Sequence, residues 1–419
     1  MYSPIGTWTA YDNSKGGMRM ENASIAPAHG MVSCAEDGNY IFAEIAERRR
    51  THKTHDGRRL IDLGIGDVTL PLVPVVADAL SAASAEMGNA GGFRGYPPAA
   101  GYDFLRRAAA LRYAELGADI GADEIYISDG AKTDLAVIPQ LFEHPCVFIA
   151  DPSYPAYRDV NRALGNRIVS IPANAENGYL PLPAPQYGCG LYYICSPSNP
   201  TGAAYTADGL ALWIAHARRT GSLIIYDAAY SDFIGDDDTR HPRTVYEIPG
   251  ARECAIEVNS FSKSAGFTGL RCGFTVIPSG LEAGGVNLAG IWKKYRSISF
   301  NGVAYPVQRA AAAALSDEGR RACRKNIEYY LENTAVLRRA LRTAGLDPAA
   351  GGVSPYVWFR CPAGVGSWEF FDRLLCDADI VGTPGIGFGR GGEGYFRFSG
   401  FCSGSDAEEA ARRIEKLRI

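Results

Sequence analysis

Histidine is scarce in this chain, and that scarcity closes one route at once. Six histidines are spread over 419 residues, none forms an H-E-x-x-H pair, and His52 and His55 sit in a polar, basic stretch. No metal site is expected. The ten cysteines include no C-x-x-C, and several fall in apolar, strand-like runs, as Cys195 does in Leu191-Tyr-Tyr-Ile-Cys195. Such cysteines fit buried free thiols in a reducing cytoplasm better than a disulfide framework. No apolar run approaches a membrane span, and the stretch from Met1 to Met20 lacks the apolar centre of a signal peptide. The formal net charge is only −4 and no Lys/Arg run stands out, so neither nucleic acid nor a membrane is an expected partner. Internal repeats and low-complexity segments are also missing.

What remains is ordinary globular composition, 47% hydrophobic and 21% charged, with enough chain for two domains. Residues 1–39 are polar and dotted with Gly and Pro, which suits an arm. Tyr40 to Arg50 places Ile41, Phe42 and Ile45 at helical spacing with a basic C-terminal end. A short strand is expected over Leu60 to Asp67, a helix from Pro74, and another after Gly101 with Phe104, Leu105 and Ala108 on one face. Short apolar strands then alternate with helix-length segments: 124–128, 146–150, 191–195, 223–226, 254–258 and 272–277. Continuous apolar strands separated by helices predict an α/β fold with a mostly parallel sheet covered on both faces. An Ala-rich helical region follows Pro306, and the remainder, with Tyr356-Val-Trp-Phe359 and Tyr395-Phe-Arg-Phe398, reads as a smaller α+β domain. The expected division is an arm (1–39), the start of a small domain (40–59), a large domain (60–299), and an interdomain helix with the rest of the small domain (300–419).

Polar residues gather where ligands bind such sheets, at the carboxyl ends of the strands. Ser128-Asp-Gly-Ala-Lys132, Asp151-Pro-Ser-Tyr154, Ser196-Pro-Ser-Asn199, Asp227 and Ser260 to Lys263 each close or follow a strand. Packing gives no reason for that, and one shared site does. Within Asn259 to Arg271, two serines flank Phe261, a lysine follows, then a glycine-rich turn and an arginine. Hydroxyls, a guanidinium and glycine-exposed N–H groups suit a phosphate, and a lysine among cations loses its proton more readily and can form a Schiff base. Alone, the pattern also fits a solvated loop lysine.

Taken in order, these motifs resemble the class I and II aminotransferases of the aspartate aminotransferase fold (fold type I), and among them the LL-diaminopimelate aminotransferases. The resemblance runs from about Tyr40 to the C-terminus. It is carried by Leu63-Gly-Ile-Gly-Asp-Val-Thr69, Ile127-Ser-Asp-Gly-Ala-Lys132, Asp151-Pro-Ser-Tyr-Pro-Ala-Tyr157, Ser196-Pro-Ser-Asn-Pro-Thr-Gly202, Ser260-Phe-Ser-Lys-Ser-Ala-Gly-Phe-Thr-Gly269, Phe300-Asn-Gly302 and Gly382 to Arg397. It implies pyridoxal 5'-phosphate as cofactor, with Lys263 as its Schiff-base lysine and proton shuttle. Asp227, which could otherwise be a helix cap, would face the pyridine nitrogen. Tyr230 and Asn199 would bond the phenolic oxygen, and Tyr154 would stack on the ring. Ala131, Lys132, Ser260, Ser262 and Arg271 would hold the phosphate. Tyr96 would reach it from the neighbouring subunit of a homodimer. Arg397 would take the substrate α-carboxylate, with Tyr40, Gly66, Lys132 and Asn301 around the substrate, Asn301 also from the partner.

Departures from the family pattern fall on the substrate side. The segment Gly95-Tyr-Pro-Pro-Ala-Ala-Gly101 has no acid where the family has a glutamate for the distal end of diaminopimelate, and the substitute is expected at Ala99. Leu70, Ile386 and Arg390 replace residues of other character. The expected activity is therefore aminotransfer from an α-amino acid to a keto acid, with a substrate other than LL-diaminopimelate. The alternative is a repurposed enzyme performing elimination, replacement or cyclisation at Cβ or Cγ, for example on S-adenosylmethionine.

Overall fold

The computed structural model describes residues 41–54, 57–349 and 351–417; the 1–39 arm, Tyr40 and the side chain of Phe42 lie outside the described residues. In chain order come α1 (Ile41–Thr51), β1 (Ile61–Asp62), α2 (Pro74–Met87) and α3 (Asp103–Glu115). Next are β2 (Ile125–Ser128), α4 (Ala131–Val137), β3 (Cys146–Asp151), α5 (Pro155–Ala163), β4 (Arg167–Pro172) and β5 (Leu191–Cys195). They are followed by α6 (Ala207–Thr220), β6 (Leu223–Asp227), β7 (Ala255–Ser260), α7 (Phe261–Ser264) and β8 (Gly273–Val276). After a small hairpin of β9 (Glu282–Ala283) and β10 (Val286–Asn287) come α8 (Leu288–Ser299), α9 (Tyr305–Leu315) and α10 (Asp317–Thr343). The chain ends with β11 (Tyr356–Arg360), α11 (Ser367–Ala378), β12 (Ile380–Val381), β13 (Thr383–Pro384), β14 (Tyr395–Ser399) and α12 (Gly404–Ile414).

Local chemistry sets these boundaries. Pro74 opens α2, where its missing N–H costs nothing. Thr206 caps α6 by accepting from the Gly209 N–H at 3.3 Å, and Gly221, at φ 67°, ends it in the left-handed region. In α3 the buried stripe is Leu105, Ala109 and Tyr113, so the inward face is rotated from the expected Phe104–Leu105–Ala108.

The large sheet has the order β2-β8-β7-β6-β5-β3-β4. β4, β3, β5, β6 and β7 run parallel, while β8 is antiparallel to both β7 and β2. Alternate residues of the central strands serve opposite faces, as the pleat requires. Tyr192, Ile194, Ile224 and Tyr226 enter one core, while Leu191, Tyr193, Leu223 and Ile225 enter the other. This is why the central strands are apolar throughout rather than alternating.

A separate core gathers β11, β14, α11, α12 and the end of α10 around Phe359, Phe396, Phe398, Leu337 and Leu341. β1 joins it, pairing in parallel with β12 through Ile61↔Ile380, and Ile61 and Leu63 bury there. Residues 61–63 therefore pack with the C-terminal core, not with the large domain expected to begin at residue 60. Helix α10 bridges the two bodies, with Cys323 in the first core and Leu337 in the second.

Candidate active site

The carboxyl ends of β5, β6 and β7, the N-termini of α4 and α5, and the Gly66 loop enclose a cavity of about 410 Å³. Gly66, Ala131, Lys132, Tyr154, Asn199, Asp227, Tyr230, Ser260, Ser262, Lys263, Arg271 and Arg397 all line it. A larger cavity of about 670 Å³ shares Ser260 but holds neither Lys263 nor Asp227, so size does not mark the chemistry.

Lys263 sits in α7, the single turn that follows β7, and Ser260 fixes that turn by accepting from the Ser262 N–H at 3.1 Å. The Lys263 ammonium donates to the Gly66 carbonyl and lies 5.6 Å from the Phe401 ring centre. Burial lowers its pKa to about 8; Asp67 opposes that change, and Arg397 and Arg271 add to it. A lysine so placed yields a neutral amine far below the usual lysine range.

Asp227 closes β6 as a buried carboxyl. Burial pushes its pKa up, while the Tyr157 hydroxyl and the Ala229 N–H (3.0 Å) donate to it and pull the other way. The Tyr230 hydroxyl lies 2.7 Å from that of Tyr356. Tyr154 stands at the start of α5, edge-on to Tyr157 with ring centres 5.5 Å apart.

An anion cradle forms beside them. Arg271 adopts a left-handed φ of 61° and donates to Ser262 Oγ at 3.3 Å and to the Thr268 carbonyl at 3.2 Å. Its guanidinium presses on Gly130, where a Cβ would lie 2.5 Å from Nη2, so only glycine at φ 122° admits the arginine. The next residues, Ala131 and Lys132, open α4 and line the cavity, so the N-terminal end of that helix faces it.

Arg397, in β14, is buried and donates to Asn199 Oδ1 at 2.7 Å, the Gly64 carbonyl at 2.8 Å and Thr383 Oγ1 at 3.3 Å. The Tyr356 ring lies 4.3 Å beneath the guanidinium carbon. Asn199 spends its carbonyl on Arg397, which leaves its NH₂ for the cavity.

Not every expected residue is here. Tyr96 is 87% exposed and Asn301 is also exposed; neither lines the cavity of its own chain. The two are neighbours, however, because Gly302 backs onto Pro97, where an added Cβ would lie 2.6 Å from Cγ. Arg296 donates to the Ala99 carbonyl at 3.1 Å and ties this loop to α8. Tyr40 lies outside the described residues. Leu70 does not line the cavity; it packs against the aromatic cluster that includes Tyr330 and Phe401, and its N–H donates to the Tyr330 hydroxyl at 2.7 Å. Ile386 and Arg390 are likewise absent from its wall. Sequence reasoning missed Tyr157, Tyr356 and Thr383, although the first stands inside the motif Asp151–Tyr157.

Fold and site together define a fold type I α/β enzyme with a cationic, hydroxyl-lined cradle and a depressed-pKa lysine. The sequence profile described as "Aminotransferase class I and II" matches residues 58–414, and the chain belongs to that family of transferases. It is 42% identical to an LL-diaminopimelate aminotransferase of Agathobacter rectalis over 91% of this chain and 97% of the relative. The solved L,L-diaminopimelate aminotransferase of Chlamydomonas reinhardtii superposes with a TM-score of 0.84 at 38% identity, covering 90% of this chain and 96% of that one. Substrate-bound BacF of Bacillus subtilis superposes at 0.82 with 28% identity, covering 94% and 98%. The family uses pyridoxal phosphate, and the donor set fits it: hydroxyls, a guanidinium and helix N–H groups for the phosphate, Lys263 for the aldehyde and Asp227 for the ring nitrogen. Among the described residues no helix is long and apolar enough to cross a membrane.

Proposed function

We propose that this chain transfers the amino group of an α-amino acid to a keto acid, and that the donor's distal end is less basic than that of LL-diaminopimelate. The observation that carries the chemistry is Lys263, an amine with its pKa lowered to about 8, in one cavity with Asp227 and Arg397. When bound, pyridoxal phosphate supplies an aldehyde for the substrate amine and a ring that accepts the electron pair left at Cα. The residues do the rest. Arg397, oriented by Asn199, Gly64 and Thr383, clamps the substrate carboxylate bidentately. Lys263 Nζ would take the Cα proton and deliver it across the nitrogen to the carbon that was the cofactor's aldehyde. Asp227 holds the proton on the ring nitrogen. Tyr230 and the Asn199 amide bond the phenolic oxygen, and Tyr154 covers the ring. Ser260, Ser262, Arg271 and the N–H groups of Ala131 and Lys132 seat the phosphate.

Two elements come from a second copy of the chain. Tyr96 and Asn301 are exposed neighbours on one surface, with Phe93 and Ile298 exposed as well, and a homodimer that turns this surface toward the partner's cavity completes both sites. The distal specificity follows from that loop. With Ala99 in place of an acid, this loop offers no carboxylate to a distal ammonium, and such a charge-assisted bond is worth about 1.5–3 kcal/mol.

The test is an absorbance scan of the purified enzyme against LL-diaminopimelate, glutamate, lysine, arginine and S-adenosylmethionine without keto acid. Conversion of bound cofactor to pyridoxamine phosphate by a donor other than LL-diaminopimelate supports the proposal. LL-diaminopimelate as the best donor overturns the specificity. Release of a leaving group with no pyridoxamine phosphate overturns aminotransfer in favour of elimination or replacement.

A further inference from the structure

Asp227 is buried at the end of β6, and among the described residues its recorded hydrogen-bond donors are two neutral groups, the Ala229 N–H on Oδ1 and the Tyr157 hydroxyl on Oδ2. The Ala229 contact is set by backbone two residues away and persists whatever the side chains around it. The Tyr157 contact comes from another element and is the adjustable one.

Tyr157 is itself held on several sides. Its ring stacks on Tyr193 with centres 4.8 Å apart, and Tyr154 meets it edge-on. Its carbonyl accepts from the Asn161 amide at 2.8 Å; the same amide also donates to the Tyr193 hydroxyl at 3.2 Å, and that hydroxyl donates to the Leu135 carbonyl at 3.1 Å. The phenol is thereby locked before any ligand arrives. Tyr154 precedes α5 and Tyr157 lies three residues on, so both share the face of that helix turned to the cavity.

We propose that Tyr157 is the positioning residue for Asp227: its hydroxyl occupies one side of Oδ2 and so aims the carboxylate's remaining lone pairs at the cofactor's ring nitrogen. The inference rests on Asp227 facing that nitrogen. A carboxylate has about four acceptor directions, and the two filled by Tyr157 and Ala229 leave the inner pair for a single N–H. Tyr157 lines the cavity wall, but its recorded side-chain bond is to Asp227 and not to Lys263 or Arg397. It acts through Asp227, and one short turn of α5 thus supplies both a ring cover, Tyr154, and the orientation of the acid beneath it.

The test uses the full chain stripped of cofactor and reads ligand affinity rather than turnover. Two ligands are titrated: pyridoxal phosphate and its analogue in which the ring nitrogen is replaced by C–H. Tyr157→Phe keeps the stacked ring and removes only the hydroxyl. It is expected to weaken pyridoxal phosphate on the order of 10–100-fold and the nitrogen-free analogue less than about twofold. In an Asp227→Asn background the Tyr157→Phe effect on pyridoxal phosphate should disappear, because the group it acts through is gone. Equal weakening of both ligands, or a loss that persists in the Asp227→Asn background, means a packing role and overturns the proposal; so does unchanged affinity for both. An Asp227→Asn chain that still distinguishes the two ligands as the parent does instead overturns the placement of Asp227 itself.

Discussion

The floor of the cavity and the loop at 96–101 are built on opposite terms. On the floor, Asp227, Asn199, Tyr230, Ser262 and Arg397 are buried, and each charged group is fixed by neighbours within its own chain. In the loop, Tyr96 stands 87% exposed, while the backbone of the segment is tied to the rest of the chain by Arg296 on the Ala99 carbonyl and the Ile127 N–H on the Ala100 carbonyl. In the proposed dimer, the floor is built by one chain and the loop serves the partner's site. Of the expected departures from the family pattern, the missing acid at Ala99 falls in this loop and none falls on the floor residues named above.

The largest effect belongs to the floor. Lys263→Ala should lower kcat by at least about 10⁴-fold, since both the covalent anchor and the proton carrier are lost. Borohydride reduction followed by mass spectrometry checks the anchor: the parent retains the cofactor on the peptide containing Lys263, and the variant should retain none. A cofactor-bearing lysine elsewhere in the variant sinks the assignment. Next comes Arg397→Lys, which keeps the charge but not the planar fork; KM for the amino donor should rise about 10–100-fold with a smaller change in kcat.

Mixing tests whether the loop works across subunits. Lys263→Ala and a Tyr96→Ala/Asn301→Ala double variant should each be weak alone, and mixing them under conditions that exchange subunits should regenerate activity. Only a hybrid dimer carries one site with every residue intact. No recovery from mixing, with exchange verified, places Tyr96 and Asn301 outside the neighbour's site. A smaller change is expected from Ala99→Glu, which should raise kcat/KM for LL-diaminopimelate on the order of tenfold while leaving pyridoxal phosphate affinity unchanged.

How far the sequence reads follows the same division. Strands buried on both faces, such as Leu191–Cys195 and Leu223–Asp227, announce themselves by unbroken apolar runs. β4 does not: at the sheet edge only one of its six residues is buried, and Arg167-Ile-Val-Ser-Ile-Pro172 reads as loop. The pairing of Ile61–Asp62 with Ile380–Val381 is set by a contact distant in sequence, which no local pattern carries. In the site, residues that meet the ligand stand out by type at the strand ends, whereas Tyr157 and Tyr356 look like core aromatics. Their signal is geometric, a hydroxyl aimed at Asp227 or at Tyr230, and geometry of that kind appears only once the elements are assembled.

The smallest effect separates the floor from ordinary lysine chemistry. Capture of pyridoxal phosphate by the cofactor-free enzyme requires the neutral amine of Lys263, so its rate follows the deprotonated fraction. With the pKa lowered to about 8, chiefly by burial, that fraction climbs about tenfold per pH unit below pH 8 and then levels off. Between pH 8 and 9 the rise should be less than about twofold, whereas a solvated lysine, with its pKa near 10.4, would still give nearly tenfold. The sign is fixed by the cause: burial disfavours the charged form, and Arg397 and Arg271 push the same way, with Asp67 opposing. Stopped-flow capture rates across pH 6–10 measure the levelling directly. A rate that keeps climbing past pH 9 would mean that Lys263 is hydrated in the empty cavity, and that the floor is organised by its cofactor rather than before it.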